Sequence, residues 1–151
     1  MLLWKTRTVE MRIWPNDHCP PHVTAVCRPG CWTARFLFSM IKDDVLLWDI
    51  KPQRNAPSYD TVWQLANDVH AKRVQCREGW WKYQQHNRGI CLDNAPVVGK
   101  QGEALELFDQ SHAAEPDGSI VPGTGIYVPG LGIRAQIDWG DEVTSELLKE
   151  K

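Results

Sequence analysis

The chain has 151 residues, of which 42% are hydrophobic and 24% charged, with a formal net charge of −2. That is ordinary globular material, enough for a real core in one domain or one domain plus an appendage. No apolar run reaches the ~18 residues of a membrane span. The opening stretch MLLWKTRTVEMRIW lacks the apolar centre of a signal peptide, so a cytoplasmic location and no membrane partner are expected.

In chain order, residues 7–14 (RTVEMRIW) alternate, with Val9, Met11 and Ile13 on one side, and read as a half-buried strand. Pro15 ends it and Asn16-Asp17 turn the chain. Residues 22–28 place Val23, Ala25 and Cys27 on one face. Residues 32–38 do the same with Trp32, Ala34, Phe36 and Phe38. Pro29-Gly30 between them marks a hairpin turn. A fourth strand is expected at 45–50 (VLLWDI). After the proline-flanked link KPQRNAPS, Ser58 or Asp60 can cap a helix.

That helix is expected to run over 59–86. Val62, Ala66, Val69, Cys76, Trp80 and Tyr83 share a stripe at helical spacing. Arg73 falls in the stripe and is expected to snorkel, and Gly79 offers a kink. Beyond residue 88 the text is loop-like. A short helix is expected near 103–114, turns at the two Val-Pro-Gly triplets, a strand at 132–139 and a closing helix over 141–151.

Charge divides the same way. Residues 1–88 hold 13 Lys and Arg against 8 Asp and Glu, whereas residues 89–151 hold 4 against 11, so the halves carry +5 and −7. Either a basic surface faces a polyanion with an acidic tail over it, or the two parts attract each other within one fold. The eight tryptophans point to core filling more than to stacking platforms. The five cysteines (Cys19, Cys27, Cys31, Cys76, Cys91) are odd in number and scattered. They are expected to stay reduced, mostly as small buried hydrophobes.

Chemistry concentrates in residues 16–23, NDHCPPHV. One reading is a stiff corner, with Asn16 and Asp17 turning the chain and Pro20-Pro21 holding the next strand extended. A second is zinc held by His18, His22, Cys19, Cys27 and Cys31. The prolines keep the two histidines off a single helical turn, and no Cys-x-x-Cys pair is present. A third is direct acid–base chemistry by His18 and His22, with Asp17 orienting one ring. No phosphate-binding loop, nucleophile elbow or helical zinc motif occurs.

The octapeptide NDHCPPHV, followed by TARFLF and REGWWKYQ, resembles a small bacterial family known as a domain of unknown function. Its members carry Asn-Asp-His-x-Pro-Pro-His-Val between a first strand and two further strands, then a helix with a Trp near its end. The resemblance spans about residues 10–85. It implies a component of a two-gene module, likened to toxin–antitoxin pairs, with a small protein partner encoded alongside. The family pattern continues with another histidine after His-Val, where this chain has Thr24, so no three-histidine metal site is implied.

The resulting expectation is an α+β fold. A small, mainly antiparallel sheet packs on one long helix in residues 1–88, and residues 89–151 form an acidic Gly/Pro-rich extension. The expected function is non-enzymatic binding of a protein partner, with no metal and no cofactor. The alternative is a metal-independent ribonuclease-like toxin: His18 and His22 as acid and base, Asp17 as orienter, and Arg35, Arg73 and Arg77 as binding residues near phosphate. Nucleic acid is thus the second candidate partner.

Overall fold

In the computed structural model, which describes residues 1–151, the expected sequence alternation is realised as a meander. Five strands follow one another: β1 (Leu2–Thr6), β2 (Val9–Arg12), β3 (His22–Cys27), β4 (Trp32–Phe38) and β5 (Val45–Lys51). They pair antiparallel in chain order. Period two puts Met11, Val23, Ala25, Ala34 and Phe36 on one face, all fully buried. The opposite face carries a polar row set by register: Arg12 opposes Thr24, Thr24 opposes Arg35, and Arg35 opposes Asp49.

Two helices cover the apolar face. Helix α1 (Tyr59–Ala71) starts at Ser58, whose Oγ accepts from the Thr61 amide at 3.2 Å. It lies over β4 and β5, while α2 (Arg73–Gln84) lies beside β1. Gly79 is not a kink. It lets α2 approach β1 closely, since a Cβ there would sit 2.8 Å from the Leu3 side chain.

The second half forms a sheet of its own: β6 (Pro96–Val98), β7 (Glu106–Leu107), β8 (Gly118–Ile120), β9 (Ile126–Val128), β10 (Gly132–Asp138) and β11 (Val143–Lys149). Its order is β11-β10-β8-β6-β7, with β9 also paired to β10. A bridge between Leu105 and Leu148 brings the two ends of that order together, so the sheet curls on itself. Gly123 and Gly130, in the two Val-Pro-Gly turns, take positive φ of 76° and 80°.

The expectation of a sheet on one long helix is corrected by these elements. The protein is mostly β, with two antiparallel sheets and two short helices. The apolar spacing of 62, 69, 76 and 80 runs in phase through the break at Lys72, so it carries no mark of it. The break lets α1 and α2 reach different strands, and Arg73 Nη1 takes the His70 carbonyl there at 2.9 Å. The expected closing helix is instead β11, which pairs with β10 at all seven of its residues. Its alternation buries Glu146 and Leu148, which a ladder can use and a lone amphipathic turn cannot. The expected helix at 103–114 is replaced by β7 and turns.

Buried apolar side chains from both sheets form one continuous cluster. Opposite charges join the halves: Lys42 Nζ lies 2.5 Å from Asp109, and Arg77 Nη1 lies 2.9 Å from Glu150. Attraction within one fold accounts for these two acidic residues of the second half. No helix is long and apolar enough to cross a membrane.

Candidate functional site

The NDHCPPHV corner leads directly into β3, and α2 supports it from below. Gln84 is buried and donates Nε2 to the carbonyls of Trp14 and Pro15, at 3.3 and 3.1 Å. The Pro21 carbonyl accepts from the Phe38 amide at 3.1 Å, which extends the β3–β4 ladder to the corner. Asp17 closes the turn through its carboxylate, which accepts from the Trp14 amide at 2.7 Å. Asp17 therefore builds this turn by the side-chain-to-backbone bonding its residue type favours.

The two histidines have different fates. His22 is 1% exposed, and its ring lies 5.7 Å from that of Trp80 and 5.2 Å from that of Trp48. Nδ1 of His22 faces the Pro20 carbonyl at 2.9 Å, and Nε2 faces Asp17 at 3.3 Å. His18 is exposed, meets Trp48 edge-on at 5.6 Å and stands 5.7 Å from His22. Asp17 thus orients His22, the buried ring, and His18 alone offers an accessible imidazole.

Trp48 is brought to this corner by a bulge. Arg35 pairs with Asp49 but Phe36 pairs with Leu47, which leaves Trp48 unopposed and turned outward. The Arg35 guanidinium stacks over it at 4.0 Å while its nitrogens fork onto Asp49. Sequence reading missed Trp48 because a bulge breaks the strand alternation without any Gly or Pro to announce it.

The three expected binding arginines do not converge. Arg35 belongs to the corner. Arg73 grips the main chain, with Nε on the Lys151 carbonyl at 2.9 Å and Nη1 on His70. Arg77 is wholly buried, and its donors go to the Ser39, Ile41 and Lys42 carbonyls and to Glu150. No side chain nitrogen of Arg77 is free for a phosphate while that joint is closed.

Cys19 forms a disulfide with Cys91, 72 residues away, which corrects the expectation that all five cysteines remain thiols. An odd count excludes complete pairing but not one bridge, and proximity across 72 residues is invisible in spacing. Cys27 and Cys76 are buried and Cys31 exposed. Burial pushes the Cys76 thiol up to about 12. With Cys19 oxidised, the imagined zinc set loses a thiolate. No three His, Cys, Asp or Glu side chains converge with metal-ligand spacing.

Paired carboxylates set the acid limb of stability. A hydrogen bond from Arg35 holds Asp49 below the usual carboxylate range, as Arg12 does for Glu10. Lys42, then Ser111, hold Asp109 well below it. A depressed folded value adds stability that is complete above the unfolded value and lost as pH falls through the folded one. The expected profile is flat near neutrality and drops below about pH 4. Thermal unfolding followed across pH checks this, and Asp49→Asn should make the acid drop shallower.

No family model, no curated protein and no solved structure matches this chain.

Proposed function

We propose that the protein is a non-enzymatic interaction protein that binds a protein partner, in keeping with the two-gene module its octapeptide resembles. One observation carries the reading. Two large aromatic side chains stand exposed together on α1, Tyr59 (77%) and Trp63 (58%). The Tyr59 and Trp63 rings stack with centroids 6.4 Å apart and planes inclined by 14°. Exposed aromatic rings on a rigid helix are the residues that dominate binding energy at protein interfaces. Singly exposed apolar residues are unremarkable on any surface, but Tyr59 and Trp63 stand against one another.

The ribonuclease alternative has less support. Acid–base cleavage needs two accessible imidazoles at one substrate, and His22 is closed in by Trp80, Trp48 and Asp17.

The test is co-purification of the tagged chain with the protein encoded alongside it. Wild-type protein should retain one stoichiometric partner. Trp63→Ala should weaken capture at least tenfold while changing stability by less than about 0.5 kcal/mol, as surface substitutions do. His18→Ala should leave capture intact. Retention unaffected by Trp63→Ala, or RNA cleavage lost with His18→Ala, would overturn the reading.

A further inference from the structure

The first sheet has two edges, and each takes a side-chain hydrogen bond from a neighbouring glutamine. At β1, Gln75 from α2 donates Nε2 to the Leu3 carbonyl at 2.8 Å. The second sheet joins its own ends through Leu105 and Leu148. At β5, the outermost strand, cover is confined to the C-terminal end, where Gln53 Nε2 reaches the Ile50 carbonyl at 3.1 Å. Residues 45–49 keep an open ladder edge with Leu46 and Leu47 standing out from it. Residues 45–47 of this edge are apolar and hold no proline or lysine, so they offer a template for another strand ahead of the bulge at Trp48.

We infer that β5 pairs antiparallel with β5 of a second copy of this chain, across a two-fold axis at Leu47. The inference rests on the protein-binding reading above and assigns the β5 edge to the chain itself, leaving Tyr59 and Trp63 for the partner. Charge selects the occupant. Exposed Asp43 and Asp44 precede β5, and exposed Lys51 and Arg54 end and follow it. An antiparallel two-fold sets the acidic end of each copy against the basic end of the other. With the axis at Leu47, Asp43 lies opposite Lys51, Leu46 opposite Trp48, and Leu47 opposite its own copy. Apolar pairs directly across a ladder stabilise it, and opposite charges at its ends favour the antiparallel arrangement. The ladder spans residues 45–49 of each copy, because Gln53 already holds the Ile50 carbonyl, and Asp43 and Lys51 face each other just beyond its ends.

The experiment is sedimentation velocity on the purified full chain, from low to several hundred micromolar. The expected result is a concentration-dependent doubling of mass. Leu47→Lys should return a monomer with an unchanged near-ultraviolet circular dichroism spectrum. Asp43→Lys and Lys51→Asp should each weaken association at least tenfold, and the double reversal should restore it, which only the antiparallel register explains. A wild-type monomer at every concentration, or a dimer indifferent to Leu47→Lys, would overturn self-pairing. If the chain alone stays monomeric but Leu47→Lys abolishes partner capture, the edge takes another protein's strand; self-pairing then fails while the protein-binding reading stands. Loss of the partner in Trp63→Ala, measured separately, tests that reading alone.

Discussion

Replacing Arg77 with alanine is expected to lower stability by about 3–5 kcal/mol, the range for breaking a buried pair by removing one partner. The side chain has no exposed surface. It joins three carbonyls of the turn after β4 to Glu150, which also accepts from the Tyr127 hydroxyl at 2.8 Å. Without Arg77, those carbonyls lose a donor where water cannot readily enter, and Glu150 keeps only the phenol. The residue therefore bolts the first sheet to the last strand. Urea unfolding measures the loss as a lowered midpoint. Arg77→Lys should recover little, because one ammonium cannot reproduce the planar fork across four acceptors. Glu150→Gln should cost less, about 1–2 kcal/mol, since an uncharged oxygen can still accept. A cost for Arg77→Ala below about 1 kcal/mol would mean that the joint is wet and the buried pair contributes little.

The second large effect is expected at Trp80, where alanine should cost about 3–5 kcal/mol. The indole is fully buried between His22 and Phe38, and its Nε1 donates to the Gly89 carbonyl at 3.0 Å. Truncation removes the floor of the histidine corner and opens a cavity that the Cys19–Cys91 bridge and the β3–β4 ladder keep from collapsing. Trp80→Phe should recover most of the loss, with about 1–2 kcal/mol remaining for the missing hydrogen bond and volume. Denaturant unfolding gives the magnitudes. The His22 ring protons, followed by magnetic resonance, should shift in Trp80→Ala and stay put in Trp63→Ala. The same residue type is thus a core side chain at position 80 and an exposed ring at position 63, and burial alone separates them.

The corner shows what a motif does and does not reveal. Asp17 beside His22 looked in the sequence like an orienting carboxylate, and the pair does form. Its role as part of an accessible acid–base couple depended on where β3 enters the sheet. Entry beneath Trp48 and above Trp80 closes in His22 and leaves His18 at the surface. The arginines behaved similarly. Arg35 reached the corner because cross-strand register placed it opposite Thr24 and Asp49, whereas Arg73 and Arg77 faced the C-terminal segment.

The amino-acid order by itself determined the local features. Alternation set β2 to β4 and β10, an apolar run marked β5, Pro-Gly set the turns, Ser58 capped α1, and the stripe from Val62 to Trp80 marked the buried helical face. Each of these depends on neighbours a few residues apart, so it is legible in one dimension. Tertiary structure alone decided the rest. Strands of two or three residues, such as β6 to β9, have too few positions to show a period. Residues 143–149 suit a helix or a strand until β10 offers a ladder. The bend at Lys72, the Cys19–Cys91 bridge and the burial of Arg77 arise from contacts between residues far apart in the chain. Such contacts follow from how chain segments meet in space, which short-range patterning does not encode.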